Sequence, residues 1–84
     1  MTLSFTPRFR RRAGKLTALR RALLRAALRR FAVDPRDQLL RTHEVASDLA
    51  GYWAFSVDDD LRVVFRWDGD VATLVTLGTH DEAY

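Results

Sequence analysis

The sequence predicts a single α+β domain over residues 1–84, with an N-terminal strand and a two-helix hairpin packed on one face of a small, mainly antiparallel twisted sheet. Three observations carry this reading. Apolar residues recur at helical spacing between Phe9 and Val33, and the period drops to two from Tyr52 onward. Two tight acidic turns, Asp58-Asp59-Asp60 and Asp68-Gly69-Asp70, divide that second half into three strands. The 48% hydrophobic content, with five Phe and two Trp, is that of a chain that folds. A domain of 84 residues buries a modest share of its surface, so it gains from a partner.

Leu3–Phe5 alternates and precedes Pro7, so it reads as an edge strand feeding a helix whose first turn tolerates proline. In the helical region Leu16, Leu19, Leu23, Ala27 and Phe31 form a stripe, widened by Leu24 and Leu28. Gly14 followed by Thr17, a candidate N-cap, predicts two helices with a turn near residues 13–17. The second helix ends at Asp34-Pro35, because the residue before proline is driven out of the helical region. A connecting stretch, Arg36–Leu49, leads to strands at Tyr52–Val57, Leu61–Trp67 and Val71–Leu77, rich in β-branched and aromatic residues. Parity places Trp53, Phe55, Val57, Leu61, Val63, Phe65, Trp67, Val75 and Leu77 on the face covered by the helices. The other face then carries Ser56, Arg62, Arg66, Thr76 and His80, mixed with Tyr52, Val64 and Leu74.

The formal charge of +3 hides a division between the halves. Residues 1–42 hold twelve Lys/Arg against two Asp/Glu, and residues 43–84 hold two against nine. Thirteen of the fourteen basic residues are Arg, whose planar fork engages phosphate or carboxylate bidentately. The basic half is therefore read as a docking surface for RNA or for an acidic partner, beside the simpler reading of a solvated helix face. Its acid-free start has the composition of a transit peptide, yet removing it would strip the domain of its helical layer.

With no cysteine, disulfides, thiolate metal sites and cysteine nucleophiles are excluded, and two histidines do not make a structural zinc site. No apolar run approaches a membrane span. No Gly-rich phosphate loop, nucleophile elbow or His-Glu-x-x-His motif occurs, which leaves neither a cofactor nor a metal to expect. The remaining acid–base candidates are His43, His80, Asp60, Asp81 and Glu82, with histidine the group that titrates near neutrality.

Three segments of the C-terminal half point further: Leu49 to Val57 with its Gly51-Tyr52 step, Asp60-Leu61-Arg62-Val63-Val64-Phe65, and the run Gly78-Thr79-His80-Asp81 ending in Tyr84. In this order and spacing they resemble the RelE/ParE superfamily of bacterial type II toxins, and within it the YafQ-like messenger-RNA interferases. The resemblance covers residues 39–84. It implies a RelE-like fold and a cytoplasmic, ribosome-dependent endoribonuclease that cleaves messenger RNA without a metal, neutralised by a cognate antitoxin. Operator DNA would be bound only through the antitoxin complex. Such chemistry, attack of a ribose 2′-oxygen on the adjacent phosphorus, needs a base, an acid and cations.

Carried over by position, the resemblance implies His80 as general acid/base, His43 as a second functional histidine and Asp60 as catalytic carboxylate. Arg62 would neutralise the phosphate or fix the turn that bears Asp60. Ser56 stands where the family often has a basic residue or histidine, Trp53 and Thr76 where some members have Arg, and Arg66 is a candidate for the missing charge. Tyr84 would stack on a base or pack at the chain end, whereas Trp53 and Trp67 are read as core. The rival expectations are a ParE-like inhibitor of DNA gyrase, and a catalytically degenerate member that binds an antitoxin.

Overall fold

A computed structural model describes residues 1–45 and 51–79. The expected α+β architecture is present. The elements are β1 (Thr2–Phe5), α1 (Pro7–Gly14), α2 (Ala18–Val33), a 3-10 turn (Gln38–Leu40), β2 (His43–Glu44), β3 (Tyr52–Ser56), β4 (Leu61–Asp68) and β5 (Val71–Thr79). The five strands form one sheet in the order β1-β5-β4-β3-β2, with β1 parallel to β5 and every other pairing antiparallel.

Local signals set the helix boundaries. Thr6 caps α1 by accepting the Phe9 N–H at 3.1 Å, and Pro7 occupies the first turn, where its missing N–H costs nothing. Thr17 caps α2 in the same way through the Arg20 N–H at 3.2 Å. At Asp34 the backbone turns extended, and α2 stops at Val33, two residues before Pro35. The Asp34 and Asp37 carboxylates then accept the N–H groups of Arg36 and Leu39, building the turn that returns the chain to the sheet.

The core lies between the hairpin and one sheet face. Phe31 of α2 is fully buried, its ring stacked on Phe55 at 4.6 Å and edge-on to Phe65 at 4.8 Å. Leu24, Ala27 and Phe31 form the buried stripe of α2. Leu19, expected in that stripe, is 70% exposed, and Leu23 lies at its solvent edge. The reason is the helix phase. At 100° per residue, a stripe centred on Leu24, Ala27 and Phe31 swings Leu19 outward and brings Arg20 over the sheet end instead. Trp53 and Trp67 pack on the core edge-to-face at 5.1 Å, with the Arg36 guanidinium 5.2 and 5.0 Å from their rings.

One expectation about β5 is overturned. Val64 pairs with Thr76 while Phe65 pairs with Leu74, so Val75 is an extra residue, a β-bulge. The bulge inverts the parity before it: Leu74 and Ala72 are buried in the core, and Val75 is only half-buried. Thr6 secures the bulge. Its hydroxyl donates to the Val75 carbonyl at 2.6 Å and its N–H to the Leu74 carbonyl at 3.1 Å. The second departure is β2, a two-residue strand inside the stretch expected to be a connection.

Candidate functional site

Strand register assembles the face opposite the helices into rows. His43, Ala54, Val64 and Thr76 form one row, Ser56, Arg62 and Gly78 a second, and Tyr52, Arg66 and Thr73 a third. Ser56 and Arg62 are thus direct cross-strand neighbours, with Cβ atoms about 5 Å apart in such a pair. His43 lies diagonal to Ser56, a relation that spans roughly 7–8 Å. Gly78, opposite Arg62, adds no side chain to the second row.

The Asp58–Asp60 turn fixes this register. Asp58 Oδ1 accepts the backbone N–H groups of Asp60 at 2.8 Å and Leu61 at 2.7 Å, an Asx-type turn that starts β4 where Arg62 falls opposite Ser56. Burial pushes the Asp58 carboxyl up, but the Leu61 and Asp60 N–H groups and the Arg20 guanidinium outweigh it and hold the group below its ordinary value. Arg62 leans on the same turn, donating from Nη1 to the Asp59 carbonyl at 3.4 Å.

His43 owes its place to β2. Its Nδ1 is 2.8 Å from the Arg41 carbonyl oxygen, and Arg41 sits in the left-handed region at φ 53°. A carbonyl oxygen only accepts, so Nδ1 is the donor in this contact.

Two candidates are directed elsewhere. The Asp60 carboxylate faces Arg20 of α2, with Nη2 at 3.6 Å, while Arg20 Nε meets Asp58 Oδ2 at 3.3 Å. Arg66 shares a face with Arg62 but lies four residues along β4, roughly 13 Å away at strand rise, with its guanidinium 5.4 Å over the Tyr52 ring. Ser56 and Thr76 are both buried, and Thr76 Oγ1 has no hydrogen-bond partner among the described residues. His80 and Tyr84 lie outside the described residues, and β5 ends at Thr79. Among the described residues no group of three His, Cys, Asp or Glu is placed to hold a metal ion, and no helix is long and apolar enough to cross a membrane.

Sequence reasoning missed Arg20 as the partner of the acidic turn. Its only sequence signal is its phase on α2, one turn before Leu24.

No protein-family model matches the chain, and no curated protein matches it in sequence. Solved structures do match in shape. The crystal structure of YafQ from E. coli strain BL21(DE3) superimposes with a TM-score of 0.79 at 15% identity, covering 98% of this chain and 96% of that one. The fold is RelE-like. A YoeB/ParE toxin from Agrobacterium tumefaciens gives a TM-score of 0.77 at 20% identity, with 95% and 99% of the two chains covered. A chain of the E. coli DinJ–YafQ complex gives 0.74 at 13% identity, covering 98% and 96%. The two-helix, five-stranded arrangement is therefore shared along nearly the whole of each chain.

Proposed function

We propose that this chain is the toxin of a type II toxin–antitoxin pair and acts as a ribosome-dependent endoribonuclease. The observation that carries the reading is the second row of the face opposite the helices, where Arg62 and Ser56 are adjacent and His43 is diagonal, in a fold shared with YafQ and YoeB/ParE toxins. In this reading a messenger-RNA phosphate rests against Arg62, whose guanidinium offsets the charge that grows on the phosphoryl oxygens as the ribose 2′-oxygen attacks. His80, from the terminal Gly-Thr-His-Asp motif, moves the proton at the leaving or attacking oxygen. His43, held by its Nδ1 contact with the Arg41 carbonyl, is the second functional histidine of this reading. Ser56 contributes a hydroxyl where relatives often carry a cation, and Tyr84 offers a ring for base stacking. Asp60 acts through the turn and Arg20, as a positioning residue.

The antitoxin partner is supported by the likeness to a chain of the DinJ–YafQ complex and by the exposed arginines of α1 and α2, which suit an acidic partner segment. Expression of the chain alone should arrest growth, with cleavage mapped to ribosome-bound messages, and His80→Ala should relieve the arrest. Arrest that persists in His80→Ala, with inhibited gyrase supercoiling and intact messages, would replace this reading with gyrase inhibition.

A second reading has its own support. Ser56 is buried, Asp60 faces Arg20, and Arg66 is remote from Arg62, so the face holds one arginine where a phosphate would sit. A non-catalytic, antitoxin-binding protein is the alternative. Programmed ribosomes left uncut by the purified chain would favour it.

A further inference from the structure

Helix α2 carries more apolar surface than its own fold covers. It buries Leu24, Ala27 and Phe31, while Leu19, Ala22, Leu23, Ala26 and Val33 of the same helix are exposed. At 100° per residue, Leu19, Leu23, Ala26 and Val33 fall within about 80° of one another, in a strip centred roughly 120° round the helix from the buried one. Leu39 of the 3-10 turn widens the strip, since it lines a recess of about 190 Å³ together with Leu23, Ala26 and Val57. Leu19, Val33 and Leu39 are 70%, 88% and 69% exposed, and four of the six exposed large apolar side chains among the described residues lie here. Single apolar side chains on a surface need no explanation, but a contiguous strip marks a docking surface.

The two ends of the strip differ in charge. Beyond Leu19 lies the Asp58–Asp60 turn, three carboxylates set against the single guanidinium of Arg20. Beside Val33 the balance is reversed, with Arg29 and Arg30 set against Asp37, which meets Arg30 at 3.6 Å. Asp59 and Arg29 are exposed and enter no ion pair among the described residues. Ala26 is the midpoint between Leu19 and Val33 and presents only a methyl group, so a second helix can come close there.

We infer that a second copy of this chain docks on the strip, α2 against α2 in antiparallel order, about a two-fold axis at Ala26. The two-fold sets Leu19 against Val33 of the second copy. It also lays the acidic end of each copy on the basic end of the other, the self-complementarity that an isologous interface requires. A parallel alignment would bring like charges together. Helix axes 8–10 Å apart, with Cα atoms about 2.3 Å off each axis, leave the two Ala26 Cα atoms about 4–5 Å apart. Arg21 and Arg25 lie about 120–160° round the helix from the strip, so the dimer leaves that basic side of the hairpin uncovered. One helix pair covers less than the roughly 800 Å² per partner of a standard interface, which sets the affinity in the micromolar range. Nothing in this pairing depends on nuclease activity.

The test is sedimentation velocity of the full chain across the micromolar range, where wild type should show a monomer–dimer equilibrium. Ala26→Arg keeps a helix-favouring residue at an exposed position and should give a monomer with an unchanged circular dichroism spectrum. Asp59→Lys removes charge from the acidic end and should raise the dissociation constant several-fold. The chain has no cysteine, so Ala26→Cys adds a single thiol beside its own two-fold mate. On mild oxidation it should form a disulfide-linked dimer, whereas Arg25→Cys, on the uncovered side of the same helix, should not. A wild-type chain that is monomeric throughout would overturn the proposal, as would Arg25→Cys crosslinking as readily as Ala26→Cys. So would a strip that binds an acidic helical peptide in a chain that stays monomeric, which assigns the surface to a different protein.

Discussion

Replacing Asp58 removes the acceptor on which the β3–β4 turn is built. Two backbone N–H groups, at 2.8 and 2.7 Å, lose a charged partner, and Arg20 loses the nearer of its two carboxylates. Hydrogen bonds to a charged group contribute about 1.5–3 kcal/mol when shielded. The Asp58 side chain is 25% exposed, so water replaces part of that, and about 1 kcal/mol for each bond is the working figure. The ion pair adds roughly 0.2–1 kcal/mol. Asp58→Ala should therefore cost about 2 kcal/mol, near 10 °C in Tm for a domain this small. Urea unfolding followed by tryptophan fluorescence measures it.

The pH dependence has a definite sign. The folded carboxyl lies below its unfolded value, so the unfolded chain takes up the proton first as the pH falls. The Asp58 contribution is complete well above the unfolded value of about 3.9, declines below it, and vanishes once the folded group also protonates. Asp58→Asn should remove that part of the acid slope. Stability of Asp58→Ala within about 0.5 kcal/mol of wild type, with an unchanged acid slope, would refute the turn's role.

Other expected outcomes follow from the packing. Phe31→Ala empties the site between Phe55 and Phe65 and should cost about 3–5 kcal/mol, which leaves little or no cooperative unfolding transition in a chain of this size. Arg36→Ala strips the guanidinium from the Trp53 and Trp67 rings. It should cost about 0.5–1 kcal/mol, read as a lower urea midpoint with altered tryptophan emission.

The helix hairpin was legible because its punctuation is local. Thr17, Pro7 and Asp34-Pro35 each act within a turn of their own position. The β3–β4 pairing was legible too, since an acidic turn between two alternating runs fixes which residues share a face, Ser56 and Arg62 among them. The Val75 bulge was not. One extra residue flips every side chain before it, and no Gly or Pro marks the place; what holds it is Thr6, 69 residues away in sequence. A two-residue strand is too short to show a period, so β2 and the setting of His43 were invisible. The pairing of Arg20 with Asp58 and Asp60 joins helix to turn across the sheet end, a contact that composition and spacing do not encode. Parity did group Arg66 with Arg62, but a shared face is not proximity when four residues of strand lie between.

In the proposed function, the Arg62 row on the face opposite the helices binds messenger RNA for cleavage on the ribosome. The direct measurement is single-turnover cleavage of a defined message on programmed ribosomes, for the purified chain, Arg62→Ala and His80→Ala. Cleavage by wild type, slowed about a hundredfold in Arg62→Ala and to a comparable or greater degree in His80→Ala, is the predicted result. Equal rates for all three proteins, or no cleavage by wild type at saturating concentration, would contradict it.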